Sequence, residues 1–216
     1  MRYYLALLLT PFAFAQTDHF SFGVTAGASL LRPTSSVPFA PDQSPRYTLG
    51  ADFQFSLNEH VSLRVNPTYR RLGERFGGVI GDVNLLPFYQ FLSGSSKLRA
   101  HSVELPVIGQ YTFRQQSQQW RPFLGAGFSL QKSLSQTQQD SFTILNTQSG
   151  AQSQVNLISS RNSKLDVGAV FSSGVEFKWK RLRYSPELRY TRWGNHDVSP
   201  LVHKENQLDA LVSFRF

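Results

Sequence analysis

The chain has 216 residues, a formal net charge of +8, 13% aromatic residues and no cysteine. That length holds one domain or two small ones, and the missing thiols exclude disulfide staples, thiol chemistry and a lipidated N-terminal cysteine. The basic residues form no run and no helical stripe, which argues against nucleic acid as a partner and for a solvated or lipid-headgroup-facing surface.

The opening MRYYLALLLTPFAFAQ has a base at Arg2, an apolar run from Tyr3 to Leu9, and small residues at Ala13 and Ala15. It reads as a secretory signal peptide, residues 1–15, cut between Ala15 and Gln16. Residues 16–216 then form the mature domain. No later stretch is apolar for long enough to be a transmembrane helix, so soluble export and a membrane β-barrel are the two remaining classes.

Apolar and polar residues alternate through eight segments, which is the period of a β-strand. They are Phe20–Leu30, Tyr47–Leu57, Val61–Arg70, His101–Phe113, Arg121–Leu130, Lys164–Trp179, Leu182–Trp193 and the closing QLDALVSFRF from Gln207 to Phe216. Each is about the length that crosses a bilayer at a tilt, roughly 9–11 residues. The connections alternate too. Long links at 32–46, 72–99, 131–162 and 194–206 take turns with short ones at Asn58–His60, the RQQSQQ stretch and Lys180–Arg181. In an up-and-down barrel this places every long loop at one end and every short turn at the other, as in outer-membrane barrels. The expected fold is therefore all-β, an eight-stranded antiparallel up-and-down transmembrane β-barrel.

Volume decides which face points outward. The apolar faces carry sixteen aromatic rings, whereas the interior of an eight-stranded barrel is only just wide enough for side chains to fill it. The rings must face lipid. The opposite face carries glycine, serine and threonine together with Asp52, Arg64, Arg70, Glu104, Asp166, Glu176, Lys178, Arg183, Glu187, Arg189, Asp209 and Arg215. A base turned outward at the bilayer midplane would cost roughly 2–4 kcal/mol. Turned inward, the equal numbers of acids and bases predict a mutually neutralising network that plugs the lumen.

The rings also sort by depth. Phe20, Phe22, Phe53, Phe55, Tyr111, Phe113, Phe177, Trp179, Tyr184, Phe214 and Phe216 fall at the short-turn ends, as a periplasmic aromatic girdle would. Tyr47, Tyr69, Phe128 and Tyr190 lie toward the long-loop ends. Pro67, Pro106, Pro122 and Pro186 interrupt the strands of a barrel that has no free edge, so bulges, strand ends or waters are expected to absorb them.

Three stretches resemble a known family. VELPVIGQY (Val103–Tyr111), RPFLGAGFSL (Arg121–Leu130) and VGAVFSSGVEFKWKRLRYSPELRYTRW (Val167–Trp193) are similar to strands of the PorT-like outer-membrane β-barrel domain. The last follows its pattern of a GxGxEF-like strand before an arginine–tyrosine strand, but reads Arg-Trp-Gly where the family often has Gly-Leu. The resemblance implies an eight-stranded barrel of the OmpA/OmpX architectural type in the bacterial outer membrane. It also implies a C-terminal strand ending on an aromatic that the barrel insertion machinery reads. Outer-membrane lipid is the expected surrounding, and the long loops are where an extracellular or envelope protein partner would dock.

Catalytic patterns are weak. His101 and Ser102 alternate to opposite faces, and His196, Asp197 and Ser199 share one loop without a spacing that builds a triad or a metal site. No cofactor motif is present. The expected role is structural or surface interaction by a non-enzymatic barrel. A lipid-modifying enzyme of deacylase or lipase type and a narrow diffusion pore are the alternatives. The polar 131–162 link reads as a flexible surface loop, or as strands extending past the membrane.

Overall fold

A computed structural model describes residues 19–30, 46–78, 83–86, 89–115, 117–146, 148–161, 165–194 and 206–216. The signal peptide, much of the first and last long links, and His196 with its neighbours lie outside the described residues.

The strands in chain order are β1 (Phe20–Ser29), β2 (Tyr47–Ser56), β3 (Val61–Val65), β4 (Thr68–Gly78), β5 (Val83–Leu86), β6 (Tyr89–Thr112), β7 (Trp120–Asn146), β8 (Gln152–Arg161), β9 (Leu165–Trp179), β10 (Leu182–Trp193) and β11 (Asn206–Arg215). All pairings are antiparallel, and β3 with β4 acts as one wall strand split at Asn66–Pro67. Following the hydrogen-bonded neighbours from β1 through β2, β3/β4, β6, β7, β9, β10 and β11 returns to β1, so eight walls close into a ring. The fold is the expected up-and-down antiparallel barrel. QLDALVSFRF closes the ring: Gly23 pairs with Arg215 and Ser29 with Asp209.

Short turns join the walls at one end. Asn58 Oδ1 accepts the backbone N–H of His60 (2.9 Å) and of Val61 (2.7 Å), closing the β2–β3 turn with its own side chain. The two-residue β9–β10 turn places Lys180 at φ 57°.

The prolines are accommodated without bulges. β10 pairs with β9 up to Tyr184↔Phe177 and resumes at Glu187↔Gly174 in the same register, so Pro186 sits in a local gap of the ladder. Pro67 and Pro106 share another gap, which Asn66 N–H spans by donating to the Pro106 carbonyl (3.1 Å).

The 72–99 link, expected to be a loop, is in part strand, and the 131–162 link follows its alternative reading as strands that run on past the wall. β4 continues to Gly78, β6 begins at Tyr89, and β7 runs 27 residues to Asn146 before β8 folds back on it. Along β7 beyond Gln136 and along β8 the apolar alternation is missing because neither face is buried. The Gln, Ser and Thr residues there keep the ladder hydrogen bonds while losing the apolar alternation that lipid imposes.

Candidate functional site

Every wall strand sends alternate residues inward, and their side chains meet in a charged lumen. Asp52 (β2), Arg64 (β3), Glu187 and Arg189 (β10) and Arg215 (β11) are essentially inaccessible to solvent. Arg64 is the hub. Its Nε donates to Asp52 Oδ1 (2.6 Å) and its Nη2 to Asp52 Oδ2 (2.8 Å), the bidentate geometry a guanidinium favours. Nη1 reaches Glu187 on the far wall, and Nη2 also donates to Ser213 Oγ (2.6 Å). Arg189 Nε donates to Glu187 Oε1 (2.9 Å) and its Nη1 to Asn66 Oδ1 (2.9 Å).

From Asp52 the chain of pairs continues toward the short turns. Arg215 Nε lies 3.6 Å from Asp52 Oδ2, and its Nη2 donates to Glu176 Oε2 (2.6 Å) and Ser185 Oγ (2.7 Å). Arg121 Nη1 donates to Glu176 Oε1 (3.0 Å) and its Nη2 to the Glu59 carbonyl (3.1 Å). Arg183 reaches the same carboxylate at 3.8 Å from the half-open rim.

A second cluster occupies the long-loop half. Arg70 Nη2 sits 2.5 Å from Asp209 Oδ2 and 3.1 Å from Glu104 Oε2. Ser129 Oγ donates to Glu104 Oε1 (3.0 Å) and Gln207 Nε2 to Asp209 Oδ2 (2.8 Å). Asp166 is buried here, with Oδ1 accepting the Val167 N–H (2.8 Å).

The structure therefore brings together ten of the twelve expected lumen residues, places Arg183 at the rim, and corrects Lys178. Lys178 has inward parity but lies at the very end of β9, where its side chain is exposed. Arg121 is the ionic partner that reading by segments overlooked, although it shares parity with Gly125 and Gly127. Phe123, Ile108, Val170 and Leu211 also face inward and are buried, so the lumen has apolar packing beside its charges. The ion pairs form two linked groups, one of Arg64, Arg121, Arg189 and Arg215 with Asp52, Glu176 and Glu187, and one of Arg70 with Glu104 and Asp209.

The eleven rings expected at the short-turn end stand there on the outward face. Phe20 packs on Phe55 (centroids 4.8 Å apart), Phe177 stacks on Tyr184 (4.8 Å) and Tyr111 meets Phe113 edge-on (5.3 Å). Trp120, which lies just ahead of the fifth alternating segment, is exposed there too, under the Arg114 guanidinium.

The described histidines do not assemble a triad. His19 and His60 lie near backbone carbonyls at the turn end, and His101 bonds Tyr69 Oη on the outer wall while Ser102 points into the lumen.

The sequence matches the family model described as an outer membrane protein beta-barrel domain over residues 14–194. The chain belongs to this family. This outer-membrane β-barrel is thus a protein of the bacterial outer membrane, and its long links and sheet extension mark the end opposite the short turns. It is similar in structure to the N-terminal β-barrel domain of Pseudomonas aeruginosa OprF, with 14% identity, 91% of this chain and 97% of that chain covered, and a TM-score of 0.40. Neisserial surface protein A (NspA) shows 15% identity over 92% of this chain and 96% of its own, with a TM-score of 0.44. CarO of Acinetobacter baumannii shows 11% identity over 90% and 97%, with a TM-score of 0.35. No curated protein matches the barrel in sequence.

Proposed function

We propose that this outer-membrane β-barrel is a non-enzymatic and non-conducting surface protein of PorT-like type. In this reading its lumen is sealed by ion pairs, and its raised sheet offers an edge to a partner. The observation that carries the reading is the placement of β8. It pairs with β7 alone, so its second edge is unpaired among the described residues. Gln152–Ser160 contains no charge and no proline, the residues that usually block edge pairing. Leu157 and Ile158 are 54% and 71% exposed along it. An extended, uncharged polypeptide segment from an envelope or extracellular protein would add to this edge through main-chain hydrogen bonds.

A photo-crosslinker at position 158 of the outer-membrane protein is expected to give a discrete adduct that maps to an extended segment of one partner. Asn156→Pro, which removes an edge N–H, should cut that adduct at least tenfold while the barrel stays folded. A missing adduct, or one insensitive to the proline, would remove the edge from the account.

The sealed lumen has a separate test in planar bilayers. Purified protein should show no single-channel steps above background. Steady conductance in the native protein would make it a pore instead, and lipid deacylase or lipase turnover that His101→Ala abolishes would make it an enzyme.

A further inference from the structure

Among the described residues the buried ionisable groups are six acids and five arginines, so the lumen does not carry the chain's positive excess. Among the described residues, bases on the outer wall gather at one level. Along β6 the outward residues Tyr111, Gly109, Val107, Leu105 and Val103 are uncharged, and the next two outward positions are His101 and Arg99. On β4 the step after Tyr69 is Arg71, and on β7 the step after Leu130 is Lys132. Register places Arg71 opposite His101, Gly73 opposite Arg99 and Lys132 opposite Val103. With strands about 4.8 Å apart and same-face residues about 6.8 Å apart, the four basic side chains stem from a patch roughly 10–15 Å across.

The height of this patch is marked by chemistry. Tyr69 Oη and His101 Nδ1 are 2.5 Å apart, and the Tyr47 and Tyr69 rings stand side by side with centroids 6.4 Å apart. Tyrosines with an apolar body and a polar tip settle where hydrocarbon gives way to headgroups. The uncharged band from Tyr111 to Val103 spans about 27 Å of strand, or about 20 Å of depth at a tilt near 40°, close to the apolar height of such barrels. The cations thus begin where the outer-leaflet headgroups begin. Among the described residues Arg71, Arg99 and Lys132 have no carboxylate partner, and no acid faces outward at this level.

We propose that Arg71, Arg99, Lys132 and His101 form a docking site for the phosphorylated headgroup of an outer-leaflet lipid. Two guanidinium forks can each take a phosphate bidentately, and the lysine adds a point charge on the neighbouring strand. The lipid's acyl chains would lie down the apolar wall directly beneath. The role adds to the surface-partner reading and does not depend on the β8 edge.

The test is lipid retention, counted by native mass spectrometry after extraction from phosphatidylcholine vesicles doped with bisphosphorylated lipid A or its dephosphorylated form. The wild-type barrel should keep the phosphorylated lipid preferentially, and excess inorganic phosphate should not displace it. Replacing Arg71, Arg99 and Lys132 together with glutamine should lower retention tenfold or more, since each base near a charged membrane surface contributes about a fivefold factor. The matched change of Lys178, Lys180 and Arg181 to glutamine at the opposite end should leave it intact. The proposal is overturned by equal retention of the dephosphorylated lipid, by full displacement with free phosphate, or by a wild-type result in the first triple variant.

Discussion

Arg64→Ala should destabilise the barrel by about 3–5 kcal/mol, the cost of leaving buried charge without its partner. Asp52 and Glu187 come from walls that are not neighbours, and Arg64 is the cation held between them. Without it the two carboxylates face each other, and Ser213 Oγ also loses its donor. Urea unfolding in lipid vesicles, followed by the electrophoretic shift between folded and unfolded barrel, reads the loss directly. Neutralising the whole group as Arg64→Met with Asp52→Asn, Glu187→Gln and Arg189→Met should recover much of it, because Arg189 is then not stranded and Arg215 keeps Glu176. An Arg64→Ala barrel that unfolds at the wild-type urea concentration would show that the hub is not needed to hold the lumen together.

Gly23→Ala should prevent closure of the ring. Gly23 lies on the seam between β1 and β11, and a Cβ there would sit 1.8 Å from the Phe214 carbonyl oxygen and 2.7 Å from Arg215 Cα. Both obstacles are backbone, so no rotamer change relieves them. The walls must part where the first and last strands meet. Overpacking of a side chain costs about 1–3 kcal/mol, and a clash with the closing ladder should exceed that range. The folded electrophoretic band should disappear and the protein should accumulate unfolded. Gly109→Ala is the matched control, since its Cβ would meet only the Ala126 carbonyl oxygen at 3.7 Å, and it should fold like the wild type. A folded Gly23→Ala barrel would mean that the seam tolerates a wider gap than its pairing indicates.

Much of this architecture was legible from alternation. Leu208, Ala210, Val212 and Phe214 could be assigned outward, and Asp209, Ser213 and Arg215 inward, because a strand with lipid on one side and a crowded lumen on the other permits only one parity. The same logic explains why the sixteen rings face outward and why the acids lie in the lumen. Parity says nothing of height, however. Lys178 has inward parity, yet it stands at the very end of β9, where its side chain is exposed.

The sequence by itself determined the number of walls, their faces and the end that carries the long connections, since lipid on one face imposes a period of two and antiparallel closure an even count of walls. Only the tertiary structure decided the partners. Strands in a closed ring are staggered, so Arg64 meets Asp52 twelve residues away and Glu187 across the barrel, and Arg121 joins Glu176. The same closure sorted the lumen's ion pairs into two linked groups, and β7 runs on past the wall to pair with β8, where solvent-exposed residues show no apolar alternation.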